Sequence, residues 1–312
     1  MIITVTGANG FIGSHLLGVL SASGHRLTAV MRSTGMESCP GDCIRKIIDG
    51  LDTHQNWREI LKGQDIVIHC AARVHMMQDN AEDPLKAFRQ VNVEGTLNLA
   101  RQAAEAGVRR FVFLSSIKVN GEKTTRFAPF KPDDIPFPQD PYGISKMEAE
   151  KGLWEIASAT GMELVIIRPV LVYGSGVKGN FRKMALWLEK GLPLPLGSIK
   201  NLRSMISLEN LTDFISLCAE HPAAANEVFL VSDGEDLSTT DLLRSTGKAM
   251  GKTARLIPVP ESWLYFCAVL TGKKKMAHRL LGSLRVDIGK NKELLGWTPP
   301  LSVEEGLRRC FR

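Results

Sequence analysis

Two side chains that could move a proton lie one helical turn apart in the stretch DPYGISKMEAE, residues 140–150. Residues four apart share one face of a helix, so Tyr142 and Lys146 are expected to lie side by side. A unit positive charge about 4 Å from a phenol, at an effective dielectric constant of about 20, is worth roughly 4 kcal/mol. That energy corresponds to about 3 pKa units and would bring the pKa of Tyr142 toward neutrality. The pair could therefore perform acid–base chemistry, although a chance pair on an amphipathic helix has the same spacing.

The stretch VTGANGFIG has the composition of a phosphate-binding turn. Gly7, Gly10 and Gly13 lie between a predicted strand, IITVT, and a predicted helix, FIGSHLLGVLSASG. Glycines leave backbone N–H groups open to a phosphate, and the N terminus of the following helix adds a favourable dipole. The spacing is G-x-x-G-x-x-G rather than the commoner G-x-G-x-x-G. The loop predicts a dinucleotide site, with a plain tight turn as the alternative interpretation.

The end of the second predicted strand, RLTAV, indicates which dinucleotide would bind. An acidic residue there would accept hydrogen bonds from the ribose hydroxyls, whereas a basic residue would suit a 2′-phosphate. The chain has Met31, Arg32 and Ser33 at this point and no carboxylate. We therefore expect NADP(H) in preference to NAD(H), which remains possible, while a surface arginine is the alternative interpretation of Arg32.

The elements that must position these residues alternate between strand and helix through the first half of the chain. Continuous apolar strands such as DIVIHCAA, RFVFLSS and ELVIIRP, separated by helices at 84–106 and 141–160, indicate a parallel sheet covered on both faces. After Arg168 the pattern is less regular and richer in proline and glycine. We therefore expect an α/β fold, a Rossmann-like doubly wound sheet in residues 1–170, with a smaller C-terminal substrate-binding α/β region in 171–312. This boundary is soft, and segments of the two can interleave.

Composition and charge are those of an ordinary globular protein. The 312 residues are 44% hydrophobic and 23% charged, with a net charge of +6. The densest basic run, Lys273 to Lys275, contains no aromatic residue and is expected to be a solvated loop, so nucleic-acid binding is not expected. An anionic small molecule explains the positive charge equally well.

Cellular placement is predicted from the cysteines and the apolar segments. Of six cysteines only Cys39 and Cys43 are close, without histidines at metal-ligand spacing, so reduced thiols and no metal site are expected. The chain starts directly with a predicted strand, and WLYFCAVLTG is too short to span a bilayer. We expect a cytoplasmic protein without membrane insertion.

The glycine loop, FLSSIKVNG and PYGISK, in this order, resemble the extended short-chain dehydrogenase/reductase family. More narrowly, the chain is similar to the nucleotide-sugar epimerases and reductases grouped around UDP-glucose 4-epimerase. The resemblance covers nearly the whole chain, including RPVLVYGSG, NLRSMISLENLTDF and LGWTPP. It implies that Tyr142 is the acid/base, that Lys146 also holds the nicotinamide ribose, and that Ser116 hydrogen-bonds the reacting oxygen.

The resemblance also implies a wider set of binding residues. Those expected at the cofactor are Gly7, Asn9, Gly10, Phe11, Ile12, Gly13, Arg32, Ser33, Asp49, Ala71, Ala72, Asn92, Tyr142 and Lys146. Those expected at the substrate are Lys118, Asn180, Arg203 and Arg279, with Arg73 also within reach. Arg203 would bind the sugar-nucleotide diphosphate through charge-assisted, bidentate hydrogen bonds. For Arg279 a surface position is the alternative.

Two departures from the family pattern limit the reaction. Related sugar 4,6-dehydratases carry an Asp-Glu pair directly after the active-site Ser/Thr, where this chain has Ile117 and Lys118. Dehydration is therefore not expected. The epimerases have V-Y-G where this chain has Val119, Asn120 and Gly121, which puts a close match to the galactose epimerases in doubt.

The resemblance implies an NAD(P)-dependent oxidoreductase acting at C4 of a UDP-sugar. Arg32 favours a UDP-4-keto-6-deoxy-N-acetylhexosamine 4-reductase of surface-polysaccharide biosynthesis, which consumes NADPH. The alternative is a UDP-hexose 4-epimerase acting on UDP-glucose or UDP-N-acetylglucosamine, whose cofactor never leaves. A non-catalytic NADP-binding regulator is a third option, but such proteins typically lack the tyrosine or lysine, and both are present. The family commonly dimerises through a helix pair, so a homodimer is an open option.

Overall fold

The computed structural model describes residues 1–32, 41–74, 83–125, 127–177 and 179–311. Seven parallel strands form its central sheet, in the order β3-β2-β1-β4-β5-β6-β9. The strands are β1 (Ile2–Thr6), β2 (Arg26–Met31), β3 (Ile44–Ile47), β4 (Ile66–His69), β5 (Arg110–Leu114), β6 (Glu163–Pro169) and β9 (Glu227–Val231). Every residue of β4 and β5 is buried. This matches the expectation from continuous apolar strands, because a sheet covered on both faces has no polar side.

Helices cover both faces of this sheet. On one face, α1 (Phe11–Ala22) packs against α7 (Leu208–Glu220), and residues such as Leu16, Leu17 and Phe214 join one apolar core. On the other face lie the short α2 (Arg58–Leu61), α4 (Thr96–Glu105) and α5 (Pro141–Thr160), which share a second core with Leu99 and Leu153. The expected Rossmann-like, doubly wound α/β fold is therefore confirmed.

The helix expected over 84–106 is interrupted in its middle. α3 (Pro84–Arg89) passes into a π-helical segment, Gln90–Gly95, before α4 begins. Asp83 caps α3 by accepting a hydrogen bond from the Lys86 amide. Short π segments inside helices are frequent at functional sites. This one carries Asn92, whose contacts are described below.

A second, smaller layer follows β6. Its three-stranded sheet has the order β10-β8-β7, formed by β7 (Leu171–Tyr173), β8 (Arg203–Ser207) and β10 (Asp236–Leu237). The helices beyond β6, apart from α7, are α6 (Asn180–Glu189), α8 (Thr239–Ala249), α9 (Glu261–Leu270), α10 (Lys274–Leu281), α11 (Gly289–Leu295) and α12 (Val303–Cys310). Because α7 and β9 belong to the large layer, chain beyond residue 170 contributes to both parts. The division into 1–170 and 171–312 stays a prediction.

The cysteines and the apolar helices bear on the expected cellular placement. The expectation of reduced thiols is wrong for Cys43, which is disulfide-bonded, whereas Cys70, Cys218, Cys267 and Cys310 are free thiols. Cys39 lies outside the described residues. Within the described part of the chain, no helix combines the length and apolar character needed to cross a bilayer.

Candidate active site

The predicted site residues of the first half collect where the central parallel strands end. Gly7 follows β1, Ala71 and Ala72 lie just beyond β4, and Ser116 lies two residues after β5. The carboxyl ends of parallel strands share one edge of a sheet, and ligands of open α/β sheets bind outside that edge. The glycine loop and the acid–base candidates therefore lie along the same edge of the sheet.

The glycine loop forms a tight turn between β1 and α1. Gly7 has a positive φ of +66°, and a Cβ there would lie 2.8 Å from the Ala71 amide nitrogen. A Cβ at Gly13 would lie 2.3 Å from the Gly7 carbonyl oxygen. Both positions therefore exclude any side chain.

Gly10 is the N-cap of α1, and no side chain caps this helix start, in contrast to α5 and α7. The first amides of a helix without such a cap can receive an anion, and the helix dipole favours negative charge there. Asn9, Phe11 and Ile12 share this turn. The loop thus fits the pyrophosphate of a dinucleotide, as the sequence predicts.

Asn92 ties the loop after β4 to the helix that carries the acid–base pair. Its side-chain oxygen accepts a hydrogen bond from the Arg73 amide at 2.8 Å, and its nitrogen donates to the Arg73 carbonyl and to Ser145 Oγ, each at 3.0 Å. The Ser145 hydroxyl in turn donates to the Tyr142 carbonyl at 2.8 Å. Asn92, predicted as a cofactor residue, thereby positions Arg73 and the start of α5.

Tyr142 lies in the first turn of α5, and its half-buried ring packs edge-on against Phe88, with 5.9 Å between ring centroids. Ser116 lies close enough to its phenol to lower the pKa of Tyr142 through hydrogen bonding, which brings two of the three predicted catalytic residues together. Ser116 caps the 3₁₀ turn Ile117–Val119, where its hydroxyl accepts a hydrogen bond from the Lys118 amide at 3.3 Å. The turn fixes Ser116 at the end of β5, within reach of the phenol.

Lys146 is almost fully buried one turn further along α5, with 2% exposure. Its ammonium donates to the Leu114 carbonyl at 2.8 Å and lies 4.3 Å from the centroid of the Phe113 ring. Burial lowers the pKa of Lys146 to about 8, and the negative charge of Glu150 offsets part of that shift. The lysine is therefore held beneath the site by a backbone acceptor and an aromatic face.

The expected electrostatic relation between these two residues is not observed. Burial raises the pKa of the Tyr142 phenol above its usual value, the Asp140 carboxylate raises it further, and the hydrogen bond with Ser116 lowers it. The prediction that Lys146 brings this pKa near neutrality is therefore wrong. The spacing of four residues gives a shared face, but desolvation of the phenol dominates its pKa, and the Lys146 ammonium donates to the Leu114 carbonyl.

Asp140 is a functional neighbour that sequence reasoning treated only as a helix cap. Its carboxylate accepts a hydrogen bond from the Gly143 amide at 2.7 Å and also forms an ion pair with the Lys118 ammonium. Lys118 additionally reaches Glu122 at 3.4 Å. The lysine predicted to contact substrate is thus engaged by two carboxylates at the mouth of the Tyr142 site. A carboxylate two residues before the tyrosine was the signal available in the sequence.

The departure at Asn120 has a structural explanation. Asn120 is buried, accepts a hydrogen bond from Arg168 Nη1 at 3.0 Å, and donates to the Lys131 carbonyl at 2.9 Å. Arg168 also pairs with the buried Glu150, which accepts a short hydrogen bond from Ser115. Asn120 therefore belongs to a buried polar network beneath the site, where each polar group needs a partner.

The other predicted residues come from other parts of the chain. Arg32 is exposed directly after β2, and Asp49 is exposed beyond β3. Arg203 begins β8, where its guanidinium donates to the Gly282 carbonyl at 3.0 Å. Asn180 begins α6 and Arg279 lies on α10, but their side chains, and all of Ser33, lie outside the described residues. The described ranges contain no cluster of three or more metal-ligating side chains.

Comparisons with known proteins agree with this geometry. Residues 3–232 match the model of the NAD dependent epimerase/dehydratase family. The chain is 44% identical over 311 residues to a UDP-glucose 4-epimerase of Vibrio cholerae, covering 98% of this chain and 93% of that protein. It is 29% identical over 327 residues to an N-acetyl-α-D-glucosaminyl-diphospho-ditrans,octacis-undecaprenol 4-epimerase of Escherichia coli O157:H7, covering 99% and 94% of the two chains.

A solved structure gives the same result. The UDP-glucose 4-epimerase of Thermotoga maritima, crystallised with UDP-glucose, superposes with a TM-score of 0.79 at 25% identity. The superposition covers 100% of this chain and 97% of the Thermotoga chain.

Proposed function

This chain belongs to the NAD dependent epimerase/dehydratase family, as an extended short-chain dehydrogenase/reductase enzyme that acts on nucleotide sugars, and we propose that its reaction is the 4-epimerisation of a UDP-sugar. The likeness to two 4-epimerases over nearly the full chain supports the epimerase over the 4-reductase that Arg32 favoured from the sequence. UDP-glucose and UDP-N-acetylglucosamine are the substrates proposed for the first assays.

The chemistry follows from the chain's own groups. The bound dinucleotide supplies the hydride acceptor and, in its oxidised form, a positive charge. Tyr142 accepts the proton of the C4 hydroxyl while the sugar is oxidised, and returns a proton when the 4-keto sugar is reduced on its other face. Ser116 hydrogen-bonds the reacting oxygen, and Lys146 would hold the ribose of the cofactor. Tyr142 ends each turnover in the protonation state in which it began.

The observation that carries the proposal is the placement of Ser116 beside the Tyr142 phenol at the carboxyl end of β5, with Lys146 one turn beyond. The test is incubation of the purified protein with UDP-glucose, and separately with UDP-N-acetylglucosamine, with NAD⁺ added. The C4 epimer should form without net change in the absorbance of reduced nicotinamide. A protein that forms no epimer from either sugar would refute the proposal.

A second candidate function is the 4-reductase, because Arg32 is exposed at the end of β2 and Met31 precedes it where a ribose-binding carboxylate would lie. A 2′-phosphate beside Arg32 would gain a charge-assisted hydrogen bond of about 1.5–3 kcal/mol, or roughly 10- to 150-fold in affinity. We expect NADPH to bind at least about tenfold more tightly than NADH, and Arg32→Ala to remove that difference. Titration calorimetry with both dinucleotides measures it, and tighter binding of NADH would contradict it.

The two functions are separated by stoichiometry rather than by affinity. A reductase supplied with a UDP-4-keto-sugar oxidises one NADPH per product, whereas an epimerase supplied with a UDP-hexose oxidises none. Preference for NADPH alone therefore does not decide between them.

A further inference from the structure

Helix α9 presents an uncharged, largely apolar face to solvent. Its exposed residues include Trp263, Phe266, Val269 and Leu270, which are 64%, 56%, 46% and 70% exposed. None of the ten residues of α9 is fully buried. At 100° per residue these four side chains, with Ser262 and Cys267, fill an arc of about 160° that contains no charge. A contiguous exposed patch of large apolar side chains on a soluble protein marks a contact surface.

The opposite side of α9 packs against the rest of the protein. Leu264, Tyr265 and Ala268 are half-buried on that side, and α9 packs against α10, with the Tyr265 ring 5.4 Å from the His278 ring. The apolar face is therefore the outer face of a helical hairpin. Nothing among the described residues covers it.

Positive charge lies at the C-terminal end of this face. Beyond its last turn, Gly272 has φ +69° and the Lys273 amide bonds back to the Ala268 carbonyl at 2.7 Å, which places the exposed Lys273 and Lys274 beside the end of the helix. At its first turn the Glu261 carboxylate accepts a hydrogen bond from the Lys200 backbone amide, so the positive charge lies at the C-terminal end of the face. An apolar face with basic residues at one end matches a surface that is apolar inside and anionic outside.

We propose that α9 is a docking surface for an anionic lipid bilayer. The apolar face lies at the boundary between headgroups and acyl chains, and Lys273 and Lys274 lie among the anionic headgroups. Ten residues of helix are about 15 Å long, half the thickness of a hydrocarbon core, so α9 lies along the membrane surface and does not cross it.

The position of the hairpin determines which side of the molecule would face the membrane. α10 is followed directly by Gly282. The Gly282 carbonyl accepts hydrogen bonds from the Arg203 guanidinium at 3.0 Å and from the Asn201 side-chain amide at 2.9 Å. The Ser204 backbone amide donates a hydrogen bond to the carbonyl of Leu284, two residues after Gly282. Docking through α9 would hold the β8 side of the molecule, with the arginine predicted to bind the substrate diphosphate, next to the membrane.

The test is co-sedimentation of the purified protein with vesicles of phosphatidylcholine and phosphatidylglycerol in equal parts, at low salt and without substrate. The protein should pellet with these vesicles and bind pure phosphatidylcholine vesicles at least about tenfold more weakly. The double variant Lys273→Gln, Lys274→Gln should bind about 25-fold more weakly, since each basic residue near an anionic surface contributes about fivefold. The triple variant Trp263→Ser, Phe266→Ser, Leu270→Ser should lose at least about tenfold.

Matched controls are available elsewhere on the surface. Leu186→Ser with Trp187→Ser removes two apolar side chains of α6 that are 42% and 44% exposed, and Lys62→Gln with Lys151→Gln removes two exposed lysines. Both control variants should bind vesicles like the wild type.

Three results would overturn the proposal. The first two are a wild-type protein that stays in the supernatant and a triple variant that still pellets with the vesicles. The third is a wild-type protein that is dimeric in light scattering while the triple variant is monomeric, which would assign the α9 face to contact with a second copy. Because vesicle binding is measured without substrate, the outcome is independent of the proposed epimerase reaction.

Discussion

Replacing Asp140 by asparagine should lower the pKa of Tyr142. The carboxylate raises that pKa in the structure, second only to burial of the phenol. It also caps α5 by accepting the Gly143 amide at 2.7 Å. Asparagine caps helices as well as aspartate does, so Asp140→Asn removes the charge and keeps the cap.

The magnitude follows from Coulomb's law. For an assumed separation of about 8 Å and an effective dielectric constant of about 20, a unit charge is worth about 2 kcal/mol, or about 1.5 pKa units. The Lys118 ammonium, paired with the same carboxylate, cancels part of that field. We therefore expect the pKa of Tyr142 to fall by about one unit in Asp140→Asn and to rise by a similar amount in Lys118→Met.

The assay is the pH dependence of kcat/KM for a UDP-sugar with saturating NAD⁺. The tyrosinate is the active base in sugar oxidation, so the acid limb of the profile should move about one unit down in pH for Asp140→Asn and up for Lys118→Met. Below the limb, the asparagine variant should be up to about tenfold faster than the wild type. The position of the limb is compared rather than its height, because Lys118 is also predicted to contact substrate. Limbs that move in the same direction, or do not move, would refute the reasoning.

Three further predictions concern single residues. Tyr142→Phe should keep dinucleotide affinity and lose about 10²–10⁴-fold in kcat, the usual contribution of a positioned acid/base, and wild-type turnover would remove Tyr142 from the mechanism. Arg203→Ala should weaken UDP-sugar binding and spare dinucleotide binding in calorimetry, with Arg203→Lys intermediate; equal loss of both affinities would indicate misfolding instead. Burial lowers the pKa of His69 to about 3, so below about pH 6.5 the unfolded chain binds a proton that the native protein does not. Stability should therefore fall as pH drops from about 6.5 toward 3, by up to roughly 5 kcal/mol, and urea titrations of His69→Gln should lack this slope.

Local patterns predicted the parts of the site that depend on backbone geometry. The three glycines of the first turn predict a dinucleotide loop because only glycine fits where a Cβ would meet Ala71 or the Gly7 carbonyl. The N-cap at Asp140 and the proline after it predict the start of α5, and Gly161 ends the helix with φ +77°. These signals lie within a few residues of the features that they specify.

Tertiary packing decided the parts that the sequence did not predict. The π-helical segment around Asn92 has no sequence signal separate from the flanking helices, and it is held by hydrogen bonds to Arg73 and Ser145, which are distant in sequence. The membership of β9 in the central sheet depends on its pairing with β6, for example Ile167 beside Phe229. Apolar periodicity identifies such a strand but does not say which sheet it joins.

The error about Tyr142 and Lys146 has the same origin and carries a mechanistic implication. A spacing of four residues indicates that two side chains share a helix face, but their pKa values depend on how deeply each is buried and where each charge is directed. Burial raises the pKa of Tyr142 and lowers that of Lys146, so without cofactor both groups are biased toward their neutral forms. A tyrosinate then requires positive charge beyond that of Lys146, and oxidised dinucleotide brings such a charge to this edge of the sheet. The acid/base is therefore expected to become active only once the cofactor is bound, which suits an enzyme that must abstract a proton only when a hydride acceptor is in place.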